Sequence, residues 1–189
     1  MDRIQAAFAA APRARFLPAE VRGMAHANIP LRLSHGQTNS QPSTVDDMLR
    51  LLDVQPGHKV LDVGAGSGWT TALLAHLVGP TGRVHGVERI PDLQVGAAAA
   101  VAEGNTPWAD VVLATPGVLG LPDEAPFDRI LVSAEAQRDV PADLIDQLGP
   151  DGVMVIPVRG VMLRVVRPAV GDPTLTSHGW YSFVPLIED

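Results

Sequence analysis

The residues with the most chemical information are Val60-Leu61-Asp62-Val63-Gly64-Ala65-Gly66-Ser67-Gly68, where a hydrophobic run gives way to alternating glycines. Gly64, Gly66 and Gly68 free the backbone for left-handed turns and let a ligand approach main-chain N–H groups. Ala65 and Ser67 share that turn, so all five residues are assigned to ligand binding. Glu88 falls where a second strand should end, and a carboxylate there can accept both hydroxyls of a ribose. Without that context it would be an exposed charge in a turn. Arg89 follows Glu88 and is grouped with it. Asp62 lies just before the glycines and either meets a ligand amino group or holds the loop by hydrogen bonds.

Other chemistries have less support. His26 and His35 could shuttle protons, yet a histidine beside glycine in a loop is more often a hydrogen-bonding surface group. No His, Asp and Glu cluster has metal-ligand spacing, so no metal is expected. The chain has no cysteine, which removes a thiolate nucleophile and any cysteine-ligated zinc or iron–sulfur site.

These residues need elements to hold them in place. A helix is predicted over Asp2 to Ala10, broken by Pro12, and a short second one from about Pro18 to Met24, stopped by Asn28 and Pro30. From Ser43, the residues Val45, Met48, Leu49 and Leu52 recur at helical spacing until Pro56-Gly57 turns the chain. Strands are then predicted at Lys59–Val63, Arg83–Val87, Asp110–Leu113, Phe127–Val132 and Gly152–Val158. Helices alternate with them at Trp69–Val78, from Pro91 through the Ala97–Ala100 run, and at Pro141–Leu148. Such alternation implies a mostly parallel sheet with helices on both faces. Met162–Arg167 and Ser182–Leu186, joined by the Pro168–Gly171 turn, should add an antiparallel C-terminal edge. The expected architecture is one Rossmann-like α/β domain over residues 1–189, with residues 1–55 forming an N-terminal helical cap and acceptor loop. Trp69 and Trp180 are expected in core packing.

A dinucleotide fingerprint would need its third glycine at the position of Trp69. A G-x-G-x-G turn after a strand containing an acid is instead usual for S-adenosylmethionine, so this cofactor, with S-adenosylhomocysteine as product, is preferred to NAD. Beyond that turn, Arg13, Phe16 and Pro18 precede His35-Gly36-Gln37-Thr38-Asn39-Ser40-Gln41-Pro42. Downstream stand Gly117, Gly120, Ala125-Pro126-Phe127-Asp128, Leu144-Ile145-Asp146-Gln147-Leu148, Ile156-Pro157-Val158 and Phe183-Val184-Pro185-Leu186. Together these blocks resemble the protein-L-isoaspartate (D-aspartate) O-methyltransferase family from about Arg13 to Leu186.

The resemblance implies a class I S-adenosylmethionine-dependent methyltransferase that esterifies the carboxylate of isoaspartyl residues in damaged proteins or peptides. The ester would then collapse to a succinimide and hydrolyse partly to normal aspartate, which is protein repair. It further implies that Thr115 and Gly117 lie by the cofactor, and that Gln37, Asn39, Ser133, Ala134 and Glu135 face the substrate. In the Thr38-Asn39-Ser40 loop, Ser40 first and Thr38 second would then orient one oxygen of the acceptor, where the residue types alone would equally make an ordinary Ser/Thr turn. Departures from the family pattern stand at the same places. Thr115-Pro116 occupies the position of a usual Gly-Asp near adenine, which implies a weaker or rearranged adenine contact. Glu135 interrupts a run of small residues, Asn39 replaces a customary isoleucine, and His26 and Asn28 replace a tyrosine and an aspartate. Two alternatives therefore stay open: an aspartate carboxyl methyltransferase for one dedicated peptide or protein, and an inactive cofactor-binding module.

Bulk properties agree with these readings. The chain has 189 residues and is 46% hydrophobic, enough to bury a core. A net charge of −7 with scattered basic residues argues against nucleic acid as a partner. No apolar run is long enough to span a bilayer. Asp2 and Gln5 interrupt the alanine-rich start, which also lacks a positive n-region, so a cytoplasmic location is expected.

Overall fold

Side chains before the glycine loop already show how the N-terminal part is held. Residues 2–187 are described here by a computed structural model. Helix α1 (Arg3–Ala10) starts at Asp2, whose carboxylate accepts from the Ile4 N–H, satisfying one of the free donors of a helix start. A 3-10 turn (Arg13–Phe16) and α2 (Ala19–Arg22) follow. Helix α3 (Pro42–Leu52) opens on its proline and buries Val45, Met48, Leu49 and Leu52, the stripe its spacing predicts.

Between α2 and α3 the chain forms a small antiparallel arm, β1 (Leu31–Arg32) and β2 (Thr38–Asn39), with Leu31 opposite Asn39 and Arg32 opposite Thr38. His35 and Gly36 turn the arm with φ of 57° and 71°. The sequence reading has only a loop here, because two-residue strands carry too little alternation to register. Pairing has a consequence for the site. Successive side chains leave a strand on opposite faces, so Thr38 and Ser40 share one face and Asn39 takes the other.

The remaining chain runs through β3 (Lys59–Val63), α4 (Trp69–Val78), β4 (Arg83–Glu88), α5 (Pro91–Ala102), β5 (Ala109–Leu113), β6 (Phe127–Val132), α6 (Ala142–Asp146), β7 (Leu148–Val158), β8 (Val161–Arg167) and β9 (Thr174–Trp180). Among the described residues the main sheet has seven strands, ordered β5-β4-β3-β6-β7-β8-β9. β5 to β7 are parallel, and β8 and β9 are antiparallel to their neighbours. Val60, Leu61 and Val63 of β3 and Ile130, Leu131 and Val132 of β6 are apolar on successive positions because both faces of the sheet are covered. Leu131 packs with α1, α3 and α4, while Ile130 and Val132 pack with α6 and the other side. Each fully buried Leu or Ile contributes about 1.5–3 kcal/mol against leaving it exposed.

Three expectations change. The C-terminal edge strand is Thr174–Trp180, and Ser182–Leu186 is not a strand of the sheet. β9 has polar residues and is exposed along most of its length, so no apolar alternation marks it. The stretch after Trp180 instead crosses the carboxyl ends of the strands as a strap, joined by one bridge in which Glu135 N–H donates to Val184 O and Leu186 N–H donates to Glu135 O, each 2.8 Å. Pro185 has no N–H to continue a ladder. Helix α6 is shorter than Pro141–Leu148, because Leu148 already pairs with Phe127 in β7. Trp180 is not in the core: it is 82% exposed.

Candidate active site

The chain builds outward from β3 through β4 to β5 and then returns to place β6 on the other side of β3. That reversal opens a crevice at the carboxyl ends of β3, β4 and β6. The glycine turn closes its floor. Gly64, Gly66 and Gly68 have φ of 79°, 57° and 84°, values that side-chain-bearing residues rarely adopt. The N–H groups of Gly64 and Ala65 donate to Val87 O at 2.9 and 3.0 Å, tying the turn to the end of β4.

Glu88 ends β4 and is 5% exposed. Its Oε2 accepts from the Gly66 N–H at 2.8 Å and its Oε1 from the Ile90 N–H at 2.9 Å. A carboxylate has about four acceptor sites, so each oxygen keeps capacity for a ligand hydroxyl while the backbone fixes its aim. Val63, Val87, Ile90, Val118 and Leu119 make apolar walls, and the strap covers the top with Val184 to Ile187. Gly64, Gly66, Arg89, Ser133, Ala134, Gln37 and Thr38 border the same cavity. Thr115 and Gly117 border an adjoining hollow that shares Arg89, Val118 and Leu119. A nucleoside with a short polar chain fits these parts: donors in the turn, a carboxylate for its sugar and apolar walls for its base.

A second opening lies outside the arm. Thr38, Ser40, Ser133, Gln41, Thr44 and the segment Trp180 to Val184 line a groove that meets the cavity at Thr38 and Ser133. Thr38 and Ser133 therefore stand between the two openings, and Ser40 borders the groove. Ala65 and Ser67 line a small hollow beneath them.

Four residues assigned from sequence are placed elsewhere. Asn39 is buried: its Oδ1 accepts from Arg13 Nε at 2.6 Å, and its Nδ2 donates to Ser67 Oγ at 3.1 Å. It joins the arm to the glycine turn and does not line the groove. Gly68 lines none of the openings described above. A Cβ on it would lie 3.0 Å from both Ala97 O and Val101 Cγ2, so it permits close packing of α5 on the start of α4. The side chain of Glu135 lines neither opening, and its Oε1 meets Gln137 Nε2 at 3.4 Å. Its main chain holds the strap.

Asp62 lies behind the turn, fully buried, with Oδ2 accepting from Thr70 and Thr71 hydroxyls at 2.7 Å each. Its Oδ1 has no partner among the described residues. Burial, reinforced by the negative charge of Glu88 and opposed by the two threonine bonds, pushes its carboxyl up to about 6. A raised carboxyl holds its proton more tightly folded than unfolded. This contribution to stability is therefore present below about pH 4, is lost as pH rises toward 6, and is level above that. Replacing Asp62→Asn keeps an acceptor for both threonines and should abolish that slope. Chemical denaturation across this range checks it, and an unchanged slope would exclude Asp62 as the source.

Two supports stand among the residues that carry the family resemblance, and the sequence assigns neither of them a place in the site. Gln147 is 4% exposed; its Oε1 accepts from the Leu121 N–H, and its Nε2 donates to Leu119 O and Asp143 O. It fixes the loop carrying the Val118–Gly120 wall. A glutamine after Leu144-Ile145-Asp146 has no local pattern to announce this. The other is Arg13. Its guanidinium is 5% exposed and donates to Ala27 O, Ile29 O, Asn39 O and Ser40 O at 2.9–3.0 Å. It lies 5.4 Å from the Trp69 ring centroid, and burial pushes its pKa down to about 10, leaving it charged at neutral pH.

A glycine turn under the reversal of a mostly parallel sheet, faced by an acid at the end of the next strand, defines a Rossmann-like class I S-adenosylmethionine-dependent methyltransferase. Solved structures share this fold. One is a Plasmodium falciparum protein-L-isoaspartate O-methyltransferase in complex with S-adenosyl-L-homocysteine, with TM-score 0.85 and 22% identity, covering 100% of this chain and 92% of that one. Another protein-L-isoaspartate O-methyltransferase has TM-score 0.86 at 24% identity, covering 98% of this chain and 61% of that one. The chain belongs to the protein-L-isoaspartate(D-aspartate) O-methyltransferase family, whose profile matches residues 1–189. Relatives named protein-L-isoaspartate O-methyltransferase include one from Aeropyrum pernix, 50% identical over 87% of this chain, and one from Methanopyrus kandleri, 44% identical over 98% of it. This chain spans 63% of the length of the first and 84% of the second. Among the described residues, no helix is long and apolar enough to cross a membrane, and no group of three or more His, Asp or Glu is placed to hold a metal.

Proposed function

We propose that this chain transfers the methyl group of S-adenosylmethionine to the carboxylate of L-isoaspartyl residues in damaged proteins or peptides. The observation that carries this reading is the position of Thr38 and Ser133 between the glycine-floored cavity and an open groove, with Ser40 beside them on the groove side. In this reading Glu88 holds the ribose, the glycine turn and Arg89 border the polar chain, and Thr115 and Gly117 lie toward the base. Ser40 and Thr38 orient one oxygen of the acceptor and leave the other free.

The cofactor supplies an electrophilic methyl carbon on a positive sulfur. The free carboxylate oxygen bonds to that carbon as the carbon–sulfur bond breaks, its electron pair going to sulfur. Positive and negative charge disappear together, and no proton moves. The arm and strap contribute by excluding water and fixing direction, where well-oriented reactants gain most of their rate. The acceptor ionises near pH ~4, so turnover should be almost independent of pH above about 6. The reading includes a cytoplasmic location and isoaspartyl proteins or peptides as partners.

Labelled S-adenosylmethionine with matched isoaspartyl and aspartyl peptides tests it. Label should enter the isoaspartyl peptide. Preferential labelling of the aspartyl one would instead assign an aspartate carboxyl methyltransferase with a dedicated acceptor. The placement of Glu135 outside both openings removes one reason for that alternative.

A further inference from the structure

The groove beyond Thr38 and Ser133 has no Asp, Glu, Lys or Arg among its described lining residues. Its rim carries Trp180, a large indole 82% exposed at the end of β9. What sets this side chain apart from other exposed apolar residues is its place on the groove, where its surroundings hold it. Trp180 pairs with Val161 in the sheet. The next residue is fixed twice, with Tyr181 N–H donating to Gly160 O at 2.8 Å and its hydroxyl donating to Asp47 Oδ2 at 2.9 Å. Gly160 has φ 80°, and a Cβ on it would sit 3.5 Å from Trp180 Cε3, so the indole rests on a glycine turn and keeps its remaining surface open. A rigid aromatic beside a neutral groove offers apolar contact at low conformational cost. It offers nothing to pair a charge, and the chain's net charge of −7 disfavours acidic neighbours.

We propose that Trp180 is a specificity-determining residue of the acceptor groove, receiving an apolar or aromatic side chain that neighbours the acceptor residue in the substrate peptide. This rests on the acceptor reading above, in that the peptide must enter the groove to reach Thr38. Pro30 and Phe183 complete the apolar contact. The residue takes no part in the methyl transfer and acts on peptide affinity alone.

Calorimetry on the protein saturated with S-adenosylhomocysteine tests the proposal through binding. One isoaspartyl peptide carries glycine on both sides of the acceptor, and its partners carry leucine or tyrosine there. Wild type should bind the leucine and tyrosine peptides about tenfold more tightly than the glycine peptide. Trp180→Ala should erase that difference and leave the glycine peptide unchanged, while Trp180→Phe keeps most of it. Because the side chain is exposed, both variants should melt with wild type. Equal weakening of all peptides, retention of the preference in Trp180→Ala, or no peptide binding by wild type would overturn the proposal. Binding without methyl transfer would instead sustain it and remove the repair reading.

Discussion

Arg13→Met should lower the melting temperature by about 10 °C and reduce kcat/KM for an isoaspartyl peptide by about 100-fold. The size of the effect comes from the bonds that would be orphaned. One guanidinium ties Ala27 and Ile29, before the arm, to Asn39 and Ser40 within and after it, and its Nε also holds the Asn39 side chain. Methionine fills much of the volume and supplies none of the five donors. Several buried carbonyls would then lack partners, and breaking a buried charged network of this kind typically costs about 3–5 kcal/mol. For a chain of this size each kcal/mol corresponds to roughly 2–4 °C. The catalytic loss has a separate origin. Asn39 also bonds Ser67, so Arg13 sets the distance between the arm and the glycine turn, and a 1 Å misplacement can cost about 100-fold. Arg13→Lys should recover only part of either loss, because one ammonium cannot reproduce a planar fork. Wild-type melting and turnover in Arg13→Met would show that the arm is held by other contacts.

The sequence makes the inner half of the site more legible than the outer half, for physical reasons. Gly64, Gly66 and Glu88 are readable because their neighbours are local: a turn between a strand and a helix, and the end of the next strand. The apolar runs in β3, α4 and β6 are readable for the same reason, since these elements are buried on nearly every side. Arg13 and Asn39 become meaningful only when residues far apart in sequence meet. Asn39, read as facing substrate, points inward because pairing of the short arm decides its face. Asp62 borders the turn in sequence, yet its side chain leaves the strand toward α4. Trp180 has an apolar composition that suggests burial, and only the position of β9 at the sheet edge exposes it. The strap from Ser182 to Leu186 looks like a strand because Phe183, Val184 and Leu186 are apolar. Those side chains cover the cavity and the helices beneath it, and they do not extend the sheet.

Glu88→Gln should weaken S-adenosylhomocysteine binding by about 100-fold while shifting the melting temperature of the free protein by only a few degrees. The carboxylate faces two backbone donors, Gly66 N–H and Ile90 N–H, and in the proposed site it also faces the two ribose hydroxyls. An amide keeps one acceptor oxygen but turns an N–H₂ toward one of these four donors. Each charge-assisted bond is worth about 1.5–3 kcal/mol, so losing the equivalent of one or two accounts for roughly two orders of magnitude in affinity. The stability effect is smaller because Gly66 lies beside an open cavity where water can replace the lost acceptor. A 2′-deoxy analogue of S-adenosylhomocysteine separates ribose recognition from general loosening of the turn. Removing the hydroxyl should cost wild type most of its affinity and Glu88→Gln almost none, which is the coupling expected of groups in contact. If the two losses simply add, Glu88 supports the glycine turn without touching the sugar. The nucleoside would then have to be held by the walls around Val118 and Leu119.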